Sequence, residues 1–305
     1  MKILVATVKP FAPAAIEKIK SIVEDKGYEL ALLEKYTDKS QLLKAVEDAD
    51  ALIIRSDKIT NEVMNAAKNL KIVVRAGAGY DNVDLDSARA KDIVVMNTPG
   101  QNSNAVAELA LGMMVYLARN KFNGTAGIEL KDKKIGIHAY GNVGKNVARI
   151  AKGFDMDVFA YDPFVANEDI EADEVTPLDT VEELYSTCDY VSLHIPANKH
   201  TIKSIDYDLL KNMPKGGTLV NTARKEVVDE EGLFKLMEER DDIKYISDIA
   251  PDMREQFEDR FGDRVFFTPK KMGAQTAEAN INAGVAAAKQ IIRFFEEGDV
   301  TFKVN

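Results

Sequence analysis

The sequence predicts an α/β protein with two domains, each built on a doubly wound parallel sheet. Short apolar runs alternate with helical patterns from one end of the chain to the other. This strand–helix–strand order favours parallel strands with helices on both faces of a sheet. A polar, glycine-bearing segment interrupts the series near its middle, and 305 residues are enough for two cores.

The first series of strands lies within residues 1–100. An amphipathic stretch, residues 14–24, follows the first apolar run, and further helical patterns separate the later runs. The runs that we predict to be strands are ILVAT, ALIIRS, KIVVRAGAG and IVVMNTPG.

A long helical pattern then begins near Ser103 or Asn104, either of which can cap a helix. The polar segment KFNGTAGIELKDKK reads as a crossover, and a second series of strands starts at Lys134. The strands of this series are predicted in KIGIHA, DVFAYD, YVSLHIP, GTLVNTA, KYISDIA and RVFFTP.

The last helical pattern, roughly residues 276–297, comes after the second sheet is complete. We therefore expect it to pack against the first domain and to make that domain discontinuous. The predicted domains are residues 1–100 with 279–305, and residues 101–278.

Composition excludes several classes of function. The chain has 40 basic and 50 acidic residues, a formal charge of −10, which argues against a nucleic-acid or anionic-membrane surface. Its single cysteine, Cys188, excludes an internal disulfide and cysteine-rich zinc clusters, and we expect no metal. Pro10 interrupts the N-terminal apolar run too early for a signal peptide, and no apolar run approaches 18 residues. We expect a cytoplasmic protein without membrane contact.

A glycine turn follows the first strand of the second series. Gly141 would let the backbone approach a pyrophosphate, and Gly144 would let the next helix pack close to the strand. The helix N-terminus at Asn142 and Val143 would offer free N–H groups and a positive dipole end to phosphates. Asp162 ends the next strand, 18 residues after Gly144, a spacing that suits a carboxylate bonded to ribose hydroxyls.

These features together predict a Rossmann-type dinucleotide-binding domain. The first glycine of the usual fingerprint is replaced by Ala139, a mild departure. A carboxylate at position 162 would repel a 2′-phosphate, so the sequence favours NAD over NADP.

Several stretches resemble, in order and over nearly the whole chain, the motifs of the NAD-dependent D-2-hydroxyacid dehydrogenases. The resemblance implies a Rossmann-type NAD-binding domain and a flavodoxin-like substrate domain. It is strongest to the branch of the family that oxidises 3-phosphoglycerate. The stretches are RAGAGYDNVD, VVMNTPGQN, VAELALGMM, VSLHIP and TLVNTARKEVVDEEGL.

The resemblance implies that the catalytic arginine is Arg224, followed here by Lys225 where the family has glycine. A guanidinium can hold a substrate carboxylate through two parallel bonds and polarise the keto oxygen. The family's catalytic histidine falls in TPKKMGAQT, where a lysine replaces it. Counting back from Gly273, Lys271 fits this position best, and Lys270 is the alternative because the segment is one residue longer than the usual motif.

A lysine with its ordinary pKa of about 10.4 is a poor base at neutral pH. Burial and the nearby Arg224 should both lower the pKa of Lys271. Protonated, the amine would protonate the keto oxygen, and neutral, it would take the hydroxyl proton. The competing interpretation of the two lysines is a solvated basic pair.

The family's glutamate, which orients the histidine, falls on Met253. Asp252 is the nearest carboxylate that could pair with the lysine, and Glu255 is a weaker candidate. Of the three histidines, His138 is expected to pack in the core and His200 to be solvated.

The resemblance also implies cofactor contacts at the ends of the later strands. His194 matches a family segment near the nicotinamide ribose, and Asp248 matches a position near the nicotinamide carboxamide. The implied contacts are His194, Pro196, Thr222, Ala223, Asp248, Gly273 and Ala274.

Substrate contacts are expected from the first domain. The resemblance places Arg55 and Ser56 at the substrate, with Lys58 available for a phosphate. The turn Ala76–Gly77–Ala78 can offer backbone N–H groups to a carboxylate, and Asn97 borders the same cleft.

The leading hypothesis is hydride transfer between C2 of a small anionic D-2-hydroxy acid, 3-phosphoglycerate first, and NAD. The alternatives are another 2-hydroxy acid, such as glycerate, glyoxylate or lactate, or a non-catalytic NAD-sensing corepressor. Family members often form homodimers through an arm after the long helix. We expect a homodimer here, although the corresponding segment is short.

Overall fold

The computed structural model describes all 305 residues of the chain. The chain divides into two compact units: Met1–Asn102 with Gln275–Asn305, and Ser103–Ala274. Every pair of strands in both sheets is parallel, which confirms the predicted fold class. The predicted roles of the two units, substrate binding for the first and NAD binding for the second, stay predictions.

The first unit contains a five-stranded sheet with apolar clusters on both faces. Its inner strands are continuous apolar runs because neither face meets water. The strands are β1 (Lys2–Thr7), β2 (Glu29–Glu34), β3 (Ala51–Ile54), β4 (Ile72–Arg75) and β5 (Val94–Asn97). Their order is β2-β1-β3-β4-β5, so the order of strands reverses between β1 and β3.

Four helices connect these strands. Asp38 and Asp84 cap the second and the fourth, each through a side-chain oxygen that accepts a backbone N–H. The helices are α1 (Pro13–Glu24), α2 (Lys39–Ala45), α3 (Asn61–Ala66) and α4 (Leu85–Arg89).

The second unit contains a seven-stranded sheet, again covered on both faces. Its strands are β6 (Lys134–His138), β7 (Asp157–Tyr161), β8 (Thr176–Pro177), β9 (Tyr190–Leu193), β10 (Thr218–Asn221), β11 (Lys244–Ser247) and β12 (Val265–Phe267). The order is β12-β11-β10-β9-β6-β7-β8, with a reversal between β6 and β9. Ligands of open α/β sheets bind beyond the carboxyl ends of the strands at such a reversal.

Seven helices belong to this unit. The longest is the one that the sequence predicted to begin near Ser103. The helices are α5 (Ser103–Ala118), α6 (Asn142–Lys152), α7 (Asn167–Glu171), α8 (Val181–Thr187), α9 (Tyr207–Leu210), α10 (Glu230–Glu239) and α11 (Arg254–Phe261).

The last helix, α12 (Ala277–Glu297), belongs to the first unit, where its alanines pack against α1 and the sheet. Thr276 caps this helix, because its side-chain oxygen accepts a hydrogen bond from the Ala279 N–H. Gly284 permits the close approach, because a Cβ there would lie 3.0 Å from both Ile19 and Phe11. No helix in the structure combines the length and the apolar character needed to cross a membrane.

Candidate active site

The glycine turn joins β6 to α6 in a backbone conformation that is unfavourable for residues with a side chain. Ala139 has a positive φ of 80°, which is unfavourable for a residue with a Cβ. A Cβ on Gly144 would lie 2.4 Å from the Ala139 carbonyl oxygen, so only glycine fits there. Nothing lies within 4 Å of a Cβ built on the exposed Gly141, which leaves the turn open to a ligand at that point.

Asp162 joins this turn to the segment that follows β7. Its Oδ2 accepts the Tyr140 N–H at 2.7 Å and its Oδ1 accepts the Phe164 N–H at 2.9 Å. A carboxylate has about four lone-pair sites, so each oxygen can still accept a bond from a ribose hydroxyl. The turn, the N-terminus of α6 at Asn142 and Val143, and Asp162 therefore fit the pyrophosphate and ribose of a dinucleotide.

The two histidines at the ends of β6 and β9 are poor proton donors. Burial lowers the pKa of His138 to about 4, and its Nδ1 lies 3.3 Å from the Tyr185 hydroxyl. Burial and then the neighbouring His138 lower the pKa of His194 to about 3, and its Nε2 lies 3.0 Å from Ser192 Oγ. Both are neutral at pH 7, and His200 is exposed in the following loop together with Pro196.

Arg224 lies on a tight turn after β10. Asn221 shapes this turn, because its side chain accepts the Ala223 N–H and donates to the Arg224 carbonyl. The Arg224 guanidinium donates only to the Ala223 carbonyl, at 2.9 Å, and no acid pairs with it. Beside it, Thr222 Oγ1 is buried without a protein partner. The turn thus presents an exposed guanidinium without an acid partner, which can bind an anion, while the Thr222 hydroxyl is shielded from solvent.

Lys271 lies next to this turn. Its Nζ is 3.4 Å from the Ala223 carbonyl oxygen. Loss of water lowers the pKa of Lys271 most, the positive Arg224 lowers it further, and Asp248 and Glu226 oppose the shift. Lys271 is exposed to solvent, as Lys270 is, so the expected burial of its side chain is wrong and the loss of water around its amine is only partial. Lys270 is exposed, and its ammonium group forms no hydrogen bond.

Asp248 holds the turn that carries Lys271. Its two carboxylate oxygens accept the N–H groups of Met272 and Gly273, each at 2.7 Å, and Thr268 Oγ1 bonds to it as well. The residue has no exposed surface. This argues against the predicted direct contact of Asp248 with the cofactor, and Asp248 instead fixes Gly273 and the adjoining Ala274.

The structure corrects the proposed pairing of Asp252. Its carboxylate is largely exposed and forms an ion pair with Lys225, not with Lys271. The Asp252 and Met253 N–H groups donate to the carboxylate of Glu230, at 3.0 and 2.9 Å. Glu255 lies in the first turn of α11 and is exposed. No carboxylate is therefore hydrogen-bonded to the Lys271 amine.

In the first unit, Arg55 follows β3 and is held in a fixed orientation. Its Nη1 donates to the carbonyls of Lys9 and Pro10, its Nη2 donates to Asn280, and its guanidinium lies over the Phe11 ring. A guanidinium has five N–H donors, so two remain free for an anion.

Arg75 ends the neighbouring strand β4 and was not singled out from the sequence. Its Nε donates to the Arg55 carbonyl at 3.1 Å, which leaves four donors free. Burial lowers the pKa of both arginines, and Arg55 lowers that of Arg75 further. Asp57 and Asp81 oppose these shifts, but neither forms an ion pair with an arginine. These two half-buried guanidinium groups lie at adjacent strand ends, have no acid partner and keep free donors that can bind an anion.

The remaining predicted substrate residues contribute unequally. Ser56 and Lys58 are exposed beside Arg55. The Ala76 N–H donates to the Ile54 carbonyl and is not available to a ligand, which corrects that part of the prediction. The N–H groups of Gly77 and Ala78 have no partner, and Asn97 fixes this turn by donating to the Ala78 carbonyl at 2.6 Å.

Sequence reasoning missed Arg75, Lys225 and Glu230. Arg75 carried a usable signal, since it ends an apolar strand in the same way as Arg55. Lys225 and Glu230 carried none, because their partners lie 27 and 22 residues away in a different loop.

The family comparison covers the second unit. Residues 104–269 match the family described as D-isomer specific 2-hydroxyacid dehydrogenase, NAD binding domain. The chain is similar to hydroxypyruvate reductase of Thermotoga maritima, with 34% identity over 87% of this chain and 91% of that protein.

Two further relatives carry a different name. D-3-phosphoglycerate dehydrogenase of Methanocaldococcus jannaschii is 35% identical over 83% of this chain, but the match spans only 51% of that protein. The crystal structure of NAD⁺-bound 3-phosphoglycerate dehydrogenase of Entamoeba histolytica is similar over 100% of this chain and 98% of that one. Its TM-score is 0.84 and its sequence identity is 49%.

Proposed function

Because this chain belongs to the NAD-dependent D-isomer specific 2-hydroxyacid dehydrogenases, we propose that it oxidises D-3-phosphoglycerate to 3-phosphohydroxypyruvate. The observation that carries the proposal is the unpaired Arg55–Arg75 pair of the first unit. A monocarboxylate needs one guanidinium, whereas a phosphate dianion can use the free donors of two. The 49% identity to a 3-phosphoglycerate dehydrogenase supports the same substrate.

The residues of the second unit are assigned the chemistry. Bound NAD supplies the hydride acceptor; Asp162 and the glycine turn are the groups that fit it. Arg224 binds the substrate carboxylate, because its guanidinium has no acid partner in the folded chain. The neutral amine of Lys271 takes the hydroxyl proton during oxidation, and its ammonium form returns a proton during reduction. The lowered pKa of Lys271 makes the neutral form more accessible than in a lysine of ordinary pKa.

Substitution of the two lysines tests this assignment. Lys271→Ala should lower kcat by roughly a hundredfold or more, the usual contribution of a general base. Lys270→Ala, which removes an exposed neighbouring amine, should stay within about threefold of the unaltered enzyme, because that amine forms no hydrogen bond or ion pair. Initial rates with phosphohydroxypyruvate and NADH measure both. Loss of turnover in Lys270→Ala alone would reverse the assignment.

A second candidate function is the reduction of hydroxypyruvate, since the Thermotoga maritima relative carries that name. The two substrates differ only by a phosphate, so the effects of Arg55→Gln and Arg75→Gln on the KM of each substrate distinguish the two functions. Both variants should raise KM for phosphohydroxypyruvate and leave KM for hydroxypyruvate nearly unchanged if the phosphate proposal holds. Complete absence of NADH oxidation with either compound would favour the NAD-sensing corepressor instead.

We also propose that the cofactor is NAD in preference to NADP, through Asp162, and that the chain forms a cytoplasmic homodimer. A 2′-phosphate beside the Asp162 carboxylate would suffer direct repulsion. Comparison of KM for NADH and NADPH tests the first proposal, and sedimentation equilibrium tests the second.

A further inference from the structure

Two residues that flank the glycine turn bond to one carboxylate. Tyr140 directly precedes Gly141, and Lys145 directly follows Gly144. The Tyr140 hydroxyl donates to Asp173 Oδ2 at 3.2 Å, and Lys145 Nζ lies 3.2 Å from the same oxygen. Asp173 lies just beyond the end of α7, 33 residues after Tyr140. One side chain from a distant part of the sequence therefore joins both ends of the turn.

Tyr140 is the buried member of this group, with no exposed surface. Burial and then Asp173 raise the pKa of Tyr140 above its usual range, so the hydroxyl keeps its proton and acts as the donor. Lys145 Nζ also lies over the Tyr140 ring, 5.4 Å from its centre. The hydroxyl bonds to no other group of the chain. Removal of the Asp173 carboxylate would leave it without an acceptor.

The backbone at Tyr140 is strained on one side and bonded to the predicted ribose-binding acid. Ala139, the residue before it, has a positive φ of 80°. The Tyr140 N–H donates to Asp162 Oδ2 at 2.7 Å. A strained backbone conformation persists only where its surroundings hold it in place. The anchored side chain of Tyr140 thus helps to fix the peptide group that orients Asp162.

A lysine from the last turn of α6 holds the backbone of Asp173. Lys152 Nζ donates to the Asp173 carbonyl at 2.6 Å and lies 3.4 Å from the Glu174 carboxylate. The bond to the carbonyl does not involve the Asp173 carboxylate, so it should survive replacement of that side chain. Glu174, the next residue, bonds to neither Tyr140 nor Lys145. The two neighbouring acids can therefore be compared directly.

We propose that Asp173 is a positioning residue for the cofactor, which holds the glycine turn through Tyr140 and Lys145 in its binding conformation before the dinucleotide binds. A site that is already ordered loses less conformational freedom on binding, and its affinity is higher for that reason. The inference rests on the proposed function only in that the glycine turn binds the dinucleotide. It concerns neither the substrate nor the proton transfer.

Replacement of Asp173 should weaken cofactor binding and spare the chemical step. Asp173→Ala should raise the dissociation constant for NADH, measured by NADH fluorescence, roughly threefold to tenfold, because the turn must then be ordered by the ligand. At saturating NADH, kcat with phosphohydroxypyruvate should stay within about twofold of the unaltered protein. Glu174→Ala is the matched control, since it removes the same charge one residue later and breaks only an exposed pair with Lys152. It should leave the dissociation constant unchanged.

Tyr140→Phe removes only the hydroxyl and should raise the dissociation constant for NADH by a smaller factor. In combination with Asp173→Ala it should add less than its separate effect, because the two variants break the same hydrogen bond. Fully additive effects would overturn the inference. A lower dissociation constant in Asp173→Ala would also overturn it, since the released Lys145 would then be binding the phosphates itself.

Hydrogen exchange of the cofactor-free protein gives a second readout that needs neither ligand nor turnover. Amides of residues 139–145 should exchange faster in Asp173→Ala than in Glu174→Ala, as measured by mass spectrometry. Equal exchange in the two variants would contradict the inference. Failure of the proposed function looks different: the unaltered protein would then not bind NADH, or would bind it without reducing a keto acid, while the exchange difference between the variants remained.

Discussion

At the scale of single residues, the first unit shows how a glycine makes room for a functional guanidinium. A Cβ on Gly77 would lie 1.5 Å from Arg75 Nη1, and the φ of Gly77 is +146°, where other residues are strained. The guanidinium of Arg75 therefore lies over the bare backbone of the turn whose N–H groups remain free. In the proposed function, Gly77 contributes to anion binding because it leaves room for the Arg75 guanidinium.

The first prediction concerns Gly77→Ala. The added methyl should displace the Arg75 guanidinium and raise KM for phosphohydroxypyruvate roughly tenfold, the worth of one hydrogen bond to a charged group. Backbone strain should also lower the free energy of unfolding by about 1–2 kcal/mol. Gly27→Ala is the control, because φ is +73° there and nothing lies within 4 Å of the added methyl. A control that raised KM equally would assign the whole effect to strain.

The sequence located candidate residues at strand ends more readily than it located their partners. Arg224 was assigned from the resemblance to a family motif and Asp162 from its spacing after Gly144, and the structure places both just beyond a buried strand, although their roles stay predictions. The partner of Asp252 could not be predicted, since two lysines, Lys225 and Lys271, were available and only the path of the loops decides between them. Asp248 was expected to meet the cofactor, but it has no exposed surface, and its oxygens accept two N–H groups about two dozen residues later in the chain.

At the scale of elements, the backbone at the N-terminal end of α11 is hydrogen-bonded to a side chain of another helix, α10. Met253 is the residue before the helix and has no side-chain cap of its own. The Glu230 carboxylate, from the first turn of α10, accepts the two N–H groups at this end. An anion at a helix N-terminus satisfies unpaired donors and interacts favourably with the helix dipole. This contact joins α10 to the loop that carries Asp252.

Glu230→Ala should therefore lower the free energy of unfolding by about 1–2 kcal/mol, because it leaves two N–H groups without a partner. Urea denaturation followed by far-UV circular dichroism measures the change. Glu231 lies in the same first turn of α10, but its carboxylate forms no hydrogen bond. Glu231→Ala should therefore lower the free energy of unfolding by less than about 0.5 kcal/mol. Equal losses in the two variants would show that the effect belongs to α10 and not to α11.

Ten of the twelve strands were predicted, because buried parallel strands are continuous apolar runs. Strand β2 was missed since it lies at the edge of its sheet, begins and ends with glutamate, and buries no residue fully. Strand β8 has two residues, too few for any periodicity. The left-handed backbone of Ala139 was also beyond sequence reasoning, because alanine at that position gives no sign of a positive φ.

At the scale of the whole molecule, few ionisable groups change their charge on folding near neutral pH. The chain has three histidines among 305 residues, and its formal charge of −10 excludes them. His138 is 8% exposed and neutral, packed between the rings of Tyr161 and Tyr185. His194 is neutral too, although part of its surface meets water, which offsets some of the cost of charging it. Stability just below neutral pH therefore depends largely on these two rings.

The last prediction is the pH dependence of stability. Burial lowers the pKa of His138 from 6.5 to about 4, so between these values the unfolded chain binds a proton that the folded chain does not. The stabilisation is complete above about pH 6.5 and is lost as the pH falls towards 4, with about 2 kcal/mol gone at pH 5 from His138 alone. Urea denaturation at pH 7 and pH 5 should show this loss, increased by His194.

His138→Gln should reduce the loss of unfolding free energy between pH 7 and pH 5 by about 2 kcal/mol. Each variant is compared with itself at the two pH values, so its stability at pH 7 does not affect the result. His200→Gln, in which an exposed ring is replaced, should leave the loss unchanged. Two variants with the same pH dependence would mean that His138 binds its proton in the folded chain as readily as in the unfolded one. The buried ring at the end of β6 would then be accessible to water, and the glycine turn that follows it would be less rigid than its contacts imply.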